Sequence, residues 1–198
     1  MTGAPAEYYS GGNYAHYLDR APRYARLARD IDQFLDTICL RDPVSPVLDL
    51  GCGPGLLVRE LSLRGWGCVH GYDSSEWAVT YARRTLGLEC VSHDREATFA
   101  RAYHLTIALD VLEHVADPLE TLLALRTRYL LVRVPVATAD GGPFVLRCSE
   151  DDPTHVQRLT ATGWTELLAR GGFRRLVKLN TATLYDTEGV HVALYARA

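Results

Sequence analysis

Residues 47–55 read Val-Leu-Asp-Leu-Gly-Cys-Gly-Pro-Gly, and an acidic residue, Asp73, stands 20 positions after Gly53. Nothing else in the chain restricts its fold as much. Val47-Leu48-Asp49-Leu50 is a short apolar run suited to a buried strand. Three glycines in five residues then let the backbone turn sharply and leave no Cβ between it and a ligand. Leu56 to Leu61 opens an amphipathic helix whose N-terminal amides point back at the loop. Cys68 to Tyr72 is a second apolar run. Asp73 at its end is placed to accept hydrogen bonds from both hydroxyls of an adenosine ribose.

The rest of the chain continues the alternation. Residues 22–40 carry Leu27, Ile31, Phe34, Leu35 and Ile38 on one helical face. Strands are expected at 46–50, 67–72, 88–92, 104–110 and 129–134. Helices are expected at 55–64, at 76–86 behind a Ser75 cap, and at 117–127. Residues 135–160 break the pattern with Pro135, Gly141-Gly142-Pro143 and Glu150-Asp151-Asp152, and read as an inserted loop. A helix over 162–170 stops at Gly171-Gly172. Runs 173–183 and 190–196 read as antiparallel strands. The expectation is an α/β fold: a Rossmann-like, doubly wound, seven-stranded, mostly parallel sheet with an antiparallel end strand. Residues 1–198 read as a single domain, with an N-terminal arm and cap helix over 1–40.

Composition narrows the classes of function. A hydrophobic share of 47% and a charged share of 23% are those of a globular protein. No apolar run approaches the roughly 18 residues of a membrane span, and the first residues lack the basic and apolar regions of a signal peptide. Five cysteines, at 39, 52, 68, 90 and 148, form no C-x-x-C pair and read as reduced thiols of a cytoplasmic protein. A net charge of −3 counts against a nucleic-acid partner.

A dinucleotide fingerprint would place its third glycine at Leu56. The observed G-x-G-x-G spacing, with Asp49 ahead of it and Pro54 within it, resembles the first motif of the class I methyltransferases that use S-adenosylmethionine. Leu109-Asp110-Val111-Leu112-Glu113-His114-Val115 resembles the segment after strand 4 in the branch with ubiquinone-biosynthesis and natural-product methyltransferases. Trp164 to Phe173 resembles that branch's last helix and turn. The resemblance implies S-adenosylmethionine as cofactor and a small-molecule acceptor in specialised metabolism, with oxygen ahead of nitrogen and carbon. It implies cofactor contacts from Asp49, Gly51, Cys52, Gly53, Gly55, Asp73 and Ser74, and Asp94 after strand 3 against the adenine amine. Asp110, at the end of strand 4, is a further cofactor candidate, and so is Tyr14 of the aromatic-rich arm Tyr8–Tyr17, because aromatic faces suit a sulfonium. The ligand of such a fold lies outside the C-terminal strand ends, near strands 1 and 4.

Methyl transfer asks the protein for alignment and, where the nucleophile carries a proton, for a base. Asp110, Glu113 and His114 stand at i, i+3 and i+4, so a helix after strand 4 would bring all three to one side. With His155 from the insertion they could hold a divalent cation through mainly oxygen ligands. This segment with a later loop His resembles the metal site of small-RNA 2′-O-methyltransferases, in which Glu stands at the position of Asp110. His114 and His155 are equally candidate general bases. Three other functions compete with methyl transfer to a small molecule: RNA 2′-O-methyl transfer, a nicotinamide-dependent oxidoreductase, and a cofactor-binding partner protein without turnover.

Overall fold

The computed structural model describes residues 17–198. Tyr8, Tyr9 and Tyr14, and with them most of the N-terminal arm, lie outside the described residues. Seven strands form one sheet in the order β3-β2-β1-β4-β5-β7-β6. They are β1 (Val47–Leu50), β2 (Val69–Tyr72), β3 (Val91–Ser92), β4 (Ala102–Leu109), β5 (Arg126–Pro135), β6 (Phe173–Lys178) and β7 (Val190–Arg197). β1 pairs with β2 and β2 with β3 in parallel. β7 runs antiparallel to both β5 and β6, so the antiparallel strand is the penultimate one and β6 forms the edge. The chain divides into two compact units, the first ending at His104 and the second starting at Leu105.

In the first unit all four residues of β1 are buried. The helix Ala21–Thr37, started by Pro22 in its first turn, buries Leu27, Ala28, Ile31 and Leu35 on one stripe. A short 3-10 helix, Tyr17–Arg20, leads into it. The helix Leu56–Leu63 buries Leu56, Leu57, Val58 and Leu61. Ser75 caps Glu76–Leu86 by accepting from the Ala78 amide, as its position predicts, and Gly87 ends that helix in the left-handed region. Trp66 donates its indole N–H to Asp32, which also holds Arg41 and Arg64.

The helix Arg95–Ala100 has no counterpart in the sequence expectation. Asp94 caps it, its carboxylate accepting from the Ala97 amide at 2.9 Å. Six residues hold too few turns to show a periodicity, so only the cap was there to read.

In the second unit the helix Pro118–Ala124 starts on the Asp117 cap, and Ala161–Arg170 starts on the Thr160 cap. Trp164 is fully buried and donates to the Pro135 carbonyl at 2.9 Å. The insertion carries one short helix, Arg147–Glu150, and a bridge between Ala137 and Phe144. Glu150 accepts from the Phe144 amide and from Arg158, closing the insertion on itself.

Candidate active site

The glycine turn is a backbone device. Gly51, Gly53 and Gly55 all adopt positive φ, at 71°, 53° and 89°, where L side chains are strained. The loop is locked to the end of β2. Asp73 is buried, and one carboxylate oxygen accepts from the Gly53 amide at 2.8 Å while the other accepts from the Ser75 amide at 2.9 Å. An ionised carboxylate can accept about four hydrogen bonds, so these two are compatible with a ribose partner.

The glycines do not all serve a ligand. A Cβ on Gly55 would meet Leu88 Cδ1 at 2.7 Å, so its space is taken by the protein's own core. A Cβ on Gly71 in β2 would meet the Cys52 sulfur at 2.8 Å. The Cys52 thiol therefore packs beneath the loop, and burial raises its pKa well above the usual thiol range. Only its backbone could face a cofactor. The first amide of the helix Leu56–Leu63 donates to the Tyr17 hydroxyl at 3.2 Å, a contact the sequence did not signal.

Asp49 is strongly altered by its surroundings. Burial, followed by the charge of Asp73, pushes its carboxyl up to about 8, and no hydrogen bond to it is found among the described residues. Two buried carboxyls beside a glycine turn disfavour one another's charge and favour a cationic ligand. The α-ammonium and sulfonium of S-adenosylmethionine have that chemistry, so the residues fit this cofactor. Ser74 is exposed next to Asp73. Asp94 is exposed too, and one of its carboxylate oxygens is committed to its helix cap.

The second unit carries the other candidates. The expected helix after β4 does not form at Asp110. That residue has a φ of 55°, in the left-handed region, and only Leu112–His114 make a 3-10 turn. Asp110, Glu113 and His114 therefore do not project to one side as i, i+3 and i+4 of an α-helix. Asp110 instead forms a two-pronged ion pair with Arg133 on β5. Arg133 carried no signal in the sequence as its partner.

Glu113, His114 and His155 do come together, with one candidate ligand atom from each lying within 4.8 Å of the others. His155 arrives because the insertion docks on the turn after β4. The Glu113 carbonyl accepts from the Val156 and Gln157 amides, and the Gln157 side chain donates to the Val115 and Ala116 carbonyls. The imidazoles meet edge to face, 4.6 Å between centroids, and Phe144 packs on His155. Glu113 is fully buried, and neither of its carboxylate oxygens is hydrogen-bonded to another of the described residues. Burial, then the charge of Asp110, raises its pKa well above the usual carboxylate range. Burial, then His155, lowers that of His114. Asp110, expected alongside these three, is not part of the cluster and pairs with Arg133 instead.

A family model described as a methyltransferase domain matches residues 14–178. The chain belongs to this family, the class I S-adenosylmethionine-dependent methyltransferases. It is 31% identical over 81 residues to a ubiquinone biosynthesis O-methyltransferase of Neisseria meningitidis serogroup C; the match covers 36% of this chain and 34% of that protein. The match thus spans about a third of that curated relative's length. Among solved structures, a S-adenosylmethionine-dependent methyltransferase from Clostridium acetobutylicum superposes with a TM-score of 0.67 at 14% identity, covering 92% of this chain and 97% of that one. Magnesium protoporphyrin IX methyltransferase from Synechocystis PCC 6803, with bound S-adenosylhomocysteine, superposes at 0.62 and 20% identity, covering 97% and 92%. Both confirm the fold of this methyltransferase. No helix among the described residues is long and apolar enough to cross a membrane.

Proposed function

We propose that this methyltransferase moves the methyl group of S-adenosylmethionine to an oxygen of a small-molecule acceptor, with nitrogen and carbon as the less favoured atoms, in specialised metabolism. The observation that carries the reading is the left-handed glycine turn tied to the buried Asp73 carboxylate, with the buried, charge-repelled Asp49 beside it. S-adenosylmethionine supplies a methyl group already activated by its sulfonium.

The protein's own residues have four tasks. Asp73 accepts from the ribose hydroxyls while holding Gly53 in place. The exposed Ser74 adds a polar contact beside it, and Asp94 reaches the adenine amine with whatever acceptor capacity its cap leaves. Asp49 and the loop backbone at Gly51, Cys52, Gly53 and Gly55 receive the cationic end. His155 and His114 serve the acceptor, removing its proton directly or through what they bind. Oxygen is favoured as the methylated atom by the similarity to ubiquinone biosynthesis O-methyltransferases, over the matched third of their length.

The direct test is transfer of labelled methyl from S-adenosylmethionine to a panel of hydroxylated, amine and carbon-acid small molecules, followed by mass spectrometry. Product methylated at oxygen is expected. Transfer only to nitrogen or carbon acceptors, or only to RNA, would replace this reading.

A further inference from the structure

Cys68 immediately precedes β2 and His70 lies within it, two residues on, so both side chains leave the chain on the same side. Cys68 Sγ lies 3.4 Å from His70 Nε2, a hydrogen bond of sulfur length. Tyr103 meets the His70 ring edge to face, 6.0 Å between centroids, and is itself held by donating to the Thr98 carbonyl at 3.1 Å. The imidazole is thus braced while its Nε2 faces the sulfur. Cys68 and His70 are both only partly buried, so a reagent in solution can reach the pair.

The cofactor turn makes no use of this pair. A Cβ on Gly71, the next residue after His70 and on the opposite face of β2, would meet Cys52. Asp73 follows Cys68 by five residues, about 16 Å at roughly 3.3 Å per residue. One proton is shared along the Cys68–His70 contact. With the proton on sulfur the pair is a thiol and a neutral imidazole; with it on nitrogen the sulfur is a thiolate, its nucleophilic form. Burial, then the charge of Arg101, lowers the pKa of His70, so at pH 7 the ring is neutral and able to accept that proton. Arg101 is exposed, and its charge acts on Tyr103 as well. It places a cation beside the pair that attracts an anionic reagent. Cys90 supplies the contrast. It is partly buried like Cys68, but no imidazole lies against its sulfur among the described residues, and burial raises its pKa.

We infer that Cys68 and His70 form a thiol-modification site, in which the imidazole activates the thiol toward small anionic disulfides. His70 Nε2 takes the Cys68 proton, and the Cys68 sulfur attacks one sulfur of the disulfide. The new S–S bond forms as the disulfide's own S–S bond breaks. The leaving thiolate carries off that electron pair and recovers the proton from the imidazolium. A protein thiol and a disulfide become a mixed disulfide and a small thiol, with no other oxidant consumed.

The test exposes the full, reduced chain at pH 7 to oxidised glutathione, which is anionic, and separately to neutral bis(2-hydroxyethyl) disulfide. Peptide mass spectrometry follows each cysteine with time. Cys68 should form its mixed disulfide first, ahead of Cys90 and of the more exposed Cys39 and Cys148. An unassisted thiol is only roughly a few per cent ionised at pH 7, so His70→Gln should slow Cys68 about tenfold or more with both reagents. The rates at Cys39 and Cys148 should stay as they were. Arg101→Ala should slow the reaction of Cys68 with oxidised glutathione severalfold and leave its reaction with the neutral disulfide unchanged. Faster reaction at Cys39, Cys90 or Cys148 in the parent protein would overturn the assignment without any variant. So would an unchanged Cys68 rate in a His70→Gln protein of normal circular dichroism. Equal effects of Arg101→Ala on the two reagents would overturn the preference for an anionic disulfide.

Discussion

The turn Gly51–Gly55 after β1 and the turn Asp110–His114 after β4 solve the same problem by different means. Each leaves the end of a strand and each uses left-handed backbone. The first is built from main chain. Its shape comes from glycines at positive φ and from a carboxylate accepting a loop amide. The second is built from side chains. A non-glycine residue takes the left-handed conformation, its carboxylate is tied to Arg133, and a segment 40 residues on brings in the third partner. A site made of main chain depends on a few local residues. A site made of side chains depends on docking that no local window contains.

The largest effect expected on cofactor binding is that of Gly53→Val. A β-branched residue at a φ of 53° is strained, and its side chain intrudes where the loop would meet a ligand. S-adenosylhomocysteine affinity should fall by about a hundredfold or more, equivalent to roughly 2.7 kcal/mol, in a protein whose circular dichroism is unchanged. Normal cofactor binding in a folded variant breaks the main-chain account.

His155→Ala comes next. As a base it would contribute about two to four decades of rate, and cofactor affinity should not change. Full turnover on an acceptor of the parent enzyme removes the acceptor role of the insertion.

A smaller effect tests Asp49. With its carboxyl pushed up to about 8 it is mostly protonated at pH 7. A cationic ligand beside it should restore an ordinary value and release close to one proton. Calorimetry in buffers of different ionisation enthalpy reads that release, which should fade above pH 8 and vanish in Asp49→Asn. The sign for stability follows. A carboxyl raised in the folded state favours folding in its protonated form, so this contribution is full below about pH 4 and is lost as pH rises through about 8. Binding without proton release at pH 7 contradicts the assignment of the cationic end to Asp49.

The smallest effect is expected at Asp110→Gly. It gives up a half-exposed ion pair, worth about 0–1 kcal/mol, and relieves a left-handed residue costing about 1–2 kcal/mol. The two nearly offset, so Tm should move by only a few degrees. A large loss of stability would mean that the Arg133 pair organises the turn.

The difference between the two turns also explains what could be read from the chain. The glycine turn, the Ser75 cap, the helix Ala21–Thr37 and the antiparallel last pair of strands were legible, because each follows from spacing within a few residues. The helix Arg95–Ala100 was missed for want of length. The place of β7 between β5 and β6 depends on long-range pairing. Glu113, His114 and His155 were legible as residue types, but the conformation of Asp110 was not. Nothing local tells an aspartate to leave the right-handed region and turn to a strand neighbour.

The central claim, that the glycine turn with Asp73 is the cofactor site of this methyltransferase, is tested most directly by titration calorimetry of S-adenosylhomocysteine against the parent protein and Asp73→Ala. Removing the carboxylate deletes a charged hydrogen-bond acceptor for the ribose and releases the Gly53 amide. The expected result is tight binding to the parent protein and about ten- to a hundredfold weaker binding to the variant, roughly 1.5–3 kcal/mol. Equal affinity in the two proteins, or preference of the parent for a nicotinamide dinucleotide, would contradict it.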